Sequence, residues 1–197
     1  MNRLWPHETS GISDELFVRG KVPMTKEEIR SVSLSKLRLN KKDTFIDIGA
    51  GTGSMTIEAG MRITEGKVFA IERKVEGIQL ITENAKRFSL ENVDIIHGIA
   101  PKDIWHLPKM DKVFIGGTGG NIKDIFDWMD EKLVSNGRVV MNFITIENLY
   151  KSIMEIKSRN YIDMDVINIS VTKGRSISNI TMMEGQNPIY IISARKE

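Results

Sequence analysis

Cysteine is absent from this chain of 197 residues, so disulfides, thiolate metal sites and cysteine-nucleophile mechanisms are excluded. Long apolar runs are also lacking: no window holds about 18 uninterrupted apolar residues, which excludes an ordinary membrane-spanning helix. Residues 1–8 lack the apolar run of a secretory signal, so we expect a cytoplasmic protein. A strong charge of either sign is missing, because 28 Lys and Arg residues oppose 26 Asp and Glu residues. The net charge of +2 therefore requires neither a nucleic-acid nor a membrane partner.

The chain does contain the composition of an ordinary globular domain, with 41% hydrophobic and 27% charged residues. Its length fits a single domain. Residues 1–24 are punctuated by Pro and Gly and show little periodicity, so we predict an N-terminal arm there and the folded domain at residues 25–197. Thr25, followed three residues later by Glu28, matches a capping box and predicts a helix start.

Strand and helix patterns alternate after this arm. Short β-rich runs predict strands at residues 44–48, 67–71, 93–97, 112–115 and 138–143. Asn136-Gly137 is predicted to be a turn. Two late β-rich runs, 162–172 and 188–194, have no convincing helix between them, so we predict an antiparallel pair with a long connection. The whole pattern predicts an α/β fold with a doubly wound, mostly parallel sheet and an antiparallel strand pair at one edge.

Glycines and an acidic residue follow four successive predicted strands. They are Gly49 to Gly53, Glu72, Gly98 to Ala100, and Gly116 to Gly120. Ligands of such sheets bind outside the carboxyl ends of the strands, where these residues are expected to meet. The sequence therefore predicts one binding site built from four loops.

The first glycine loop reads Asp47-Ile48-Gly49-Ala50-Gly51-Thr52-Gly53. Glycine allows positive φ and close approach of a ligand, and the following helix offers unpaired N–H groups. Its third glycine comes one residue too early for the dinucleotide fingerprint, and the chain has no P-loop pattern. A tight turn without a ligand would also explain the loop. With Asp47 before it, as an acceptor that orients the loop N–H groups, the loop resembles the first motif of S-adenosylmethionine-dependent methyltransferases.

Glu72 stands 19 residues after Gly53, where a carboxylate can accept two hydrogen bonds from ribose hydroxyls. A solvated glutamate beside two cations is the alternative interpretation, and the glycine loop favours the ribose role. Many methyltransferases bind the adenine amino group with an acidic residue near the end of the third strand. This chain has Ile99 there, so we expect apolar adenine contacts or contacts to the backbone of Ile99 and Ala100.

The second glycine loop, Gly116-Gly117-Thr118-Gly119-Gly120, occupies the place where amino-methylating enzymes usually carry an Asn/Asp-Pro-Pro-aromatic motif. A flexible glycine loop leaves room for a large substrate. The absence of cysteine excludes cysteine-dependent methylation of pyrimidine carbons. Methylation of RNA, of protein carboxylates or of another small molecule remains an alternative. A cofactor-binding regulatory module without enzymatic activity is a further one.

Several segments together carry a family resemblance. They are Asp14-Glu15-Leu16-Phe17, Val22 to Arg30, the first glycine loop, Ala70-Ile71-Glu72-Arg73, Gly98-Ile99-Ala100-Pro101, the second glycine loop, Lys173-Gly174-Arg175 and Asn187-Pro188-Ile189-Tyr190. With them the chain resembles the CbiT family, the decarboxylating precorrin methyltransferases of cobalamin biosynthesis, from about Asp14 to Ile192. The resemblance implies the Rossmann-like fold of class I methyltransferases and a homotetramer.

The resemblance also implies a reaction. Cobalt-precorrin-6B would receive a methyl group at C-15 and lose carbon dioxide from its C-12 acetate, giving cobalt-precorrin-7. S-adenosylmethionine would be contacted by Thr25, Gly49, Ala50, Gly51, Thr52, Gly53, Glu72 and Ala100.

A tetrapyrrole substrate carries many carboxylates, which cationic side chains suit. The candidates are Lys21, Lys26, Lys173 and Arg175, with Arg175 favoured because Gly174 allows a close turn beside it. Gly117, Thr118 and Gly119 are expected to contact the substrate. No catalytic side chain is identified, since His97 ends a strand and is expected to be a packed or partly exposed residue there rather than a base. The three histidines have no metal-site spacing, so no metal site is predicted.

Overall fold

Strands and helices alternate along most of the chain, as the sequence pattern predicts. A computed structural model describes residues 4–197, so the first three residues of the predicted arm lie outside the described part. After a short 3-10 helix, Asp14–Leu16, the elements are α1 (Glu27–Leu37), β1 (Thr44–Ile48), α2 (Ser54–Arg62), β2 (Lys67–Glu72), α3 (Val75–Arg87), β3 (Val93–His97), β4 (Met110–Ile115), α4 (Ile122–Lys132), β5 (Leu133–Phe143), α5 (Ile146–Lys157), β6 (Tyr161–Ile169), β7 (Thr172–Ile177), β8 (Ile180–Gly185) and β9 (Ile189–Lys196).

Seven of these strands form one sheet in the order β3-β2-β1-β4-β5-β9-β6. The first five strands in this order are parallel, and β9 runs antiparallel to both β5 and β6. The predicted fold class and the predicted antiparallel pairing of the two late runs are therefore confirmed. Chain order reverses between β1 and β4, so the sheet has its switch point beside the first glycine loop.

The central strand β1 is buried on both faces, which explains its nearly continuous apolar sequence. On one face, Phe45 packs in a cluster with Leu37 of α1 and Met55 of α2. On the other face, Ile46 packs in a cluster with Trp128 of α4 and Ile156 of α5. Helices on both faces thus bury the sheet and leave its strand ends for a ligand. No helix among residues 4–197 has the length and apolar character needed to cross a membrane.

Two local predictions were wrong, and one local element was not predicted. The helix predicted to be capped by Thr25 has Lys26 at its N-cap and no side-chain cap of its own; Asp14 instead accepts a hydrogen bond from the Glu27 N–H at 3.0 Å. Asn136-Gly137 is not a turn between elements but an irregularity within β5, where pairing with β4 jumps from Met110↔Leu133 to Lys112↔Arg138. The late connection contains a separate antiparallel hairpin, β7–β8, that periodicity did not reveal.

Candidate functional site

A cleft of about 300 Å³ lies at the carboxyl edge of the sheet, where the four predicted loops meet. Residues 49 and 51 of the first glycine loop, Glu72, Ala100 and residues 117–119 all line it. The remaining lining residues are Val22, Pro23, Ile48, Ile71, Arg73, Lys74, Gly98, Ile99, Gly116 and Asn121. The volume is at the lower end of the range of ligand pockets, about 300–1,000 Å³.

Glycine is required in the first loop by both conformation and space. Gly49 has φ +73° and Gly51 has φ +59°, in the left-handed region that other residues disfavour. A Cβ atom on Gly49 would lie 2.9 Å from the Gly117 nitrogen, and one on Gly51 would lie 2.5 Å from the Pro23 carbonyl oxygen. The N–H groups of Gly49 and Ala50 both donate to the Ile71 carbonyl, at 2.9 and 3.1 Å. The loop is therefore wedged between β2, the second glycine loop and the arm.

Glu72 is 7% exposed and joins two walls of the cleft. Its Oε2 accepts the Gly51 N–H and its Oε1 accepts the Lys74 N–H, both at 2.9 Å. Each carboxylate oxygen can accept a second hydrogen bond, so both remain able to bind hydroxyl groups in the cleft. Gly77 in α3 makes room for this side chain, because a Cβ there would lie 2.5 Å from Glu72 Cγ. Sequence reasoning missed Gly77; a glycine at an early position of a helix was the available signal.

Asp47 does not orient the loop N–H groups, and that prediction was wrong. It is fully buried, and its Oδ2 accepts the Thr56 hydroxyl of α2 at 2.6 Å. The N–H groups of Gly49 and Ala50 instead donate to the Ile71 carbonyl, and the Gly51 N–H donates to Glu72. Burial raises the pKa of Asp47 from its usual 3.8 to about 7, against the opposing hydrogen bond from Thr56, and the negative charge of Glu72 raises it further.

The loop after β3 brings an apolar surface to the cleft. The Ile99 N–H donates to Asp103 Oδ2 at 2.8 Å, and the Ile99 carbonyl accepts the Asp103 N–H at 3.0 Å. Both backbone groups of Ile99 are thus already bonded, while its side chain is 45% exposed at the cleft. The Ile99 side chain is therefore available for an apolar adenine contact, and a contact to the Ala100 backbone stays a prediction. Asp103, which holds the loop in place, was missed by the sequence analysis.

The second glycine loop is the open side of the cleft. No heavy atom lies within 4 Å of a Cβ built on Gly117, whereas Gly116 packs against the Gly49 carbonyl. The loop closes on itself, since the Asn121 N–H donates to the Thr118 carbonyl at 2.9 Å and the Gly120 N–H to Thr118 Oγ1 at 3.3 Å. Helix α4 begins directly after it. A bulky second ligand can therefore approach the cleft from this side.

The predicted N-terminal arm forms one wall of the cleft, through Val22 and Pro23. It is held against the domain by hydrogen bonds and by buried side chains. The Val18 N–H donates to Asn84 Oδ1 at 2.8 Å, and the Lys21 N–H donates to Glu76 Oε1 at 2.6 Å. Ile12, Phe17 and Val22 are each at most 5% exposed. The irregular segment is thus part of the core, although it lacks the periodicity that would reveal this.

Arg30 anchors the arm from inside the domain and is fully buried. Its Nε donates to Glu58 Oε1 at 2.5 Å, and its Nη1 donates to the Thr25 carbonyl at 2.6 Å and to Asp14 Oδ1 at 3.2 Å. Its Nη2 donates to the Ile12 carbonyl. Glu58 in turn accepts the N–H groups of Gly11 and Ile12, both at 3.0 Å. Sequence reasoning missed this network because its members are separated by up to 47 residues.

The other predicted cofactor residues lie beside the cleft and do not line it. Thr25 uses its carbonyl to accept the Ser54 hydroxyl at 3.2 Å, which places it next to the start of α2. The Thr52 carbonyl accepts Asn84 Nδ2 at 2.9 Å. Gly53, with φ +79°, precedes the first residue of α2, and the Gly53 N–H donates to the Ala50 carbonyl at 2.8 Å. These residues shape the loop whose Gly49 and Gly51 reach the cleft.

The cationic residues predicted to bind the substrate do not line the cleft. Lys26 pairs with Asp14 at 3.7 Å, Lys173 with Glu28 at 2.6 Å, and Arg175 with Glu184 at 3.0 Å, all outside the lining. Lys21 is also outside it and exposed. The cations that do line the cleft are Arg73 and Lys74. His97 ends β3, as expected, with its Nε2 3.0 Å from the Arg73 carbonyl oxygen. Within residues 4–197 no group of three or more metal-ligating side chains occurs.

Known proteins are similar to this chain in both sequence and fold. A curated relative, a probable cobalt-precorrin-6B C(15)-methyltransferase (decarboxylating) of Sulfurisphaera tokodaii, is 43% identical over 94% of this chain and 97% of its own length. The cobalt-precorrin-6B C(15)-methyltransferase (decarboxylating) of Salmonella typhimurium is 39% identical over 94% of this chain and 96% of its own.

Solved structures agree with the sequence comparison. A crystal structure of a precorrin-6y C5,15-methyltransferase from Geobacter metallireducens superposes with a TM-score of 0.91 at 38% identity, covering 96% of this chain and all of that one. The sheet is that of class I S-adenosylmethionine-dependent methyltransferases. The model of the family described as "precorrin methyltransferase domain" matches residues 15–196. The glycine loops, the cleft and these matches lead to one conclusion: this chain belongs to the precorrin methyltransferase family.

Proposed function

We propose that this chain is a decarboxylating methyltransferase of cobalamin biosynthesis. It transfers a methyl group from S-adenosylmethionine to C-15 of cobalt-precorrin-6B, removes the C-12 acetate carboxyl as carbon dioxide and produces cobalt-precorrin-7. The observation that carries the proposal is the cleft itself, which is lined by the Glu72 carboxylate, the first glycine loop and the open second loop together. Relatives at 39–43% identity bear the corresponding name.

The residues of the cleft fit S-adenosylmethionine. Glu72 has acceptor capacity for the ribose hydroxyls, and Ile99 and Ala100 offer an apolar surface for the adenine. Gly49 and Gly51 let the backbone come close to the methionine part, while Ala50, Thr52 and Gly53 set the shape of that loop. Thr25 supports the start of α2 behind it. The cofactor supplies an already activated methyl group.

The work of the protein is then positioning. An in-line displacement needs the acceptor carbon held opposite the leaving sulfur, and orientation of this kind accounts for much of an enzyme's acceleration. The bonds of Glu72 to Gly51 and Lys74 hold one side of the site in place. Gly117, Thr118 and Gly119 leave the other side open for a large tetrapyrrole. We assign no catalytic side chain, because the electron-rich ring can attack directly and accept the electrons released with carbon dioxide.

We also propose a homotetramer, on the strength of the family resemblance and of the β7–β8 hairpin. Every residue of this hairpin is exposed, including the apolar Ile177, Ile180, Met182 and Met183. A two-stranded hairpin is marginally stable alone, and exposed apolar patches mark association sites. Light scattering of the purified chain tests this proposal. A monomer at micromolar concentration would contradict it. We place the enzyme in the cytoplasm, without a nucleic-acid or membrane partner, as expected for a pathway acting on a small molecule.

Calorimetry and turnover test the proposed function. S-adenosylmethionine should bind the wild type, and the Glu72→Gln variant should bind it about 100-fold more weakly, because hydrogen bonds to a charged group contribute about 1.5–3 kcal/mol each. Glu91→Gln, at an exposed position away from the cleft, is the matched control. Incubation with cobalt-precorrin-6B and mass detection should show one methyl gained and one carboxyl lost per turnover. Tight NADH binding without binding of the sulfonium would refute the proposal, as would methylation of RNA alone.

A further inference from the structure

Arg73 occupies a position in the cleft that no predicted role explains. It follows Glu72 directly, lines the cleft, and is exposed. A Cβ built on Gly119 would lie 3.7 Å from its Nη1, so the guanidinium rests beside the second glycine loop. The side chain thus spans from the end of β2 to the open side of the cleft.

The backbone around Arg73 is fixed on both sides. Glu72 Oε1 accepts the Lys74 N–H at 2.9 Å, and the Arg73 carbonyl oxygen lies 3.0 Å from His97 Nε2. A long side chain on an anchored backbone loses less entropy when it binds a ligand than one on a mobile loop. Arg73 is therefore better prepared for ligand binding than a cation on an unanchored surface segment.

Arg73 also differs from three of the four cations predicted from the sequence to bind the substrate. Lys26, Lys173 and Arg175 each have a carboxylate partner within 4.0 Å. The Arg73 guanidinium has neither an ion pair nor a hydrogen bond with any residue of the range 4–197 that the structure describes. Its five N–H donors remain available, in the planar arrangement that matches a carboxylate.

The negative charge of Glu72 in the cleft makes a cationic side chain necessary for binding an anionic substrate. The carboxylate of Glu72 contributes a negative charge to the lining, which repels an anionic substrate. Arg73 and Lys74 are the lining residues that offset this charge. Of the two, Arg73 lies beside the loop through which a large ligand can approach, and guanidinium binds carboxylates in bidentate fashion.

We propose that Arg73 is a substrate-binding residue whose guanidinium holds a side-chain carboxylate of the tetrapyrrole against the Gly117–Gly119 loop. The inference rests on the proposed function and deepens it. The carboxylate it holds is one that the product retains, because a bidentate guanidinium stabilises carboxylate charge and would oppose departure of that group as carbon dioxide. Arg73 thus contributes to substrate affinity and orientation rather than to the loss of carbon dioxide.

Steady-state kinetics with cobalt-precorrin-6B and calorimetry with S-adenosylmethionine test this inference on the full chain. For Arg73→Gln we expect the KM for the tetrapyrrole to rise about 10- to 100-fold, as loss of a charged hydrogen-bonded pair implies. The cofactor Kd should change less than about threefold, which also shows that the variant is folded. Arg73→Lys should recover part of the affinity, since it keeps the charge and loses the bidentate geometry. Arg87→Gln, an exposed arginine at the end of α3, is the control and should behave like the wild type.

Two further readouts separate binding from a merely structural role. The wild-type KM should rise with salt concentration, and that of Arg73→Gln should rise much less, because screening acts on the charge that was removed. The ratio of methyl transferred to carbon dioxide released should stay at one in the variant.

An unchanged KM in Arg73→Gln overturns the inference while leaving the proposed function intact. A cofactor Kd that rises as much as the KM also overturns it, since Arg73 would then bind the cofactor. A methyl to carbon dioxide ratio above one in the variant overturns it as well, because it would show that Arg73 assists the loss of carbon dioxide. A wild-type protein that does not turn over the tetrapyrrole refutes the proposed function itself, and the inference with it.

Discussion

The cleft region and the β7–β8 hairpin use charged residues in opposite ways. Around the cleft, Arg30, Glu58 and Glu72 are at most 7% exposed, and each has several hydrogen-bond partners. On the hairpin, Arg175 and Glu184 form an ion pair with both side chains largely in solvent. Residues in both regions match the same criteria of residue type and motif in the sequence. The comparison shows that the surroundings, rather than the residue type, determine what a charge contributes.

The difference has a physical origin in how each region is built. The cleft region joins segments that are far apart in the chain, so Arg30, Glu58 and Glu72 are removed from water and their polar groups must be hydrogen-bonded. The hairpin is a local structure of two short strands whose residues are all exposed. Charges there interact through water, where a pair contributes about 0–1 kcal/mol.

The buried arginine should give the largest effect. We expect Arg30→Met to lower the free energy of unfolding by about 3–5 kcal/mol, because the change leaves the buried Glu58 carboxylate without its cation. Urea unfolding followed by circular dichroism measures this. A loss under about 1 kcal/mol would mean that the buried network stabilises the fold no more than the hairpin ion pair does. It would contradict the argument that burial determines what a charge contributes.

The burial of Asp47 should make the free energy of unfolding depend on pH. Its pKa is raised to about 7 from 3.8, so between these values the folded state keeps a proton that the unfolded state has lost. Stability from this group therefore falls as pH rises through that window. Asp47→Asn cannot ionise, so its stability relative to the wild type should improve by up to roughly 4 kcal/mol between about pH 4 and about pH 8. Urea unfolding at both pH values tests it, and a constant difference would contradict the burial argument.

Replacement of the small residue Gly77 by alanine should show how tightly the helix packs against Glu72. Alanine normally stabilises a helix relative to glycine by about 1 kcal/mol. For Gly77→Ala we expect the opposite, a loss of about 1–3 kcal/mol, because the new Cβ meets Glu72 Cγ at 2.5 Å and the Gly51 carbonyl at 3.0 Å. Affinity for S-adenosylmethionine should fall about tenfold as Glu72 shifts.

Gly185 in the hairpin provides the matched control for Gly77. Nothing lies within 4 Å of a Cβ built there, so Gly185→Ala should change the free energy of unfolding by less than about 0.5 kcal/mol. Thermal unfolding of both variants, with calorimetry for the cofactor, gives the two values. Stabilisation by Gly77→Ala would show that Glu72 can move away from the new Cβ atom at little cost in free energy.

The smallest effect is expected at the hairpin ion pair. Arg175→Gln should lower the free energy of unfolding by less than about 1 kcal/mol, since the pair with Glu184 is solvated. The same variant tests the substrate role predicted for Arg175 from sequence. Its KM for the tetrapyrrole should change less than that of Arg73→Gln, because Arg175 does not line the cleft of its own chain. A larger increase would point to a site completed by a neighbouring copy.

Much of the fold was predictable because its patterns are local. Each parallel strand contains a short apolar run, and all of them except β3 are followed by a loop and a helix, so five strands and their order along the chain could be identified. The loops at Gly49, Glu72, Ala100 and Gly117 could be assigned to one edge, because parallel strands end on the same side of a sheet. The β7–β8 hairpin escaped prediction, since its exposed strands carry no burial pattern.

The amino-acid sequence by itself determined the fold class, the family and the four loops of the candidate site. These depend on residue type and spacing within short segments. Only the tertiary structure decided that the irregular arm forms a wall of the cleft, that Arg30 holds it there, and that Arg73 rather than Arg175 lines the cleft. The reason is that hydrogen bonds, burial and charge act between side chains close in space, whatever their separation along the chain.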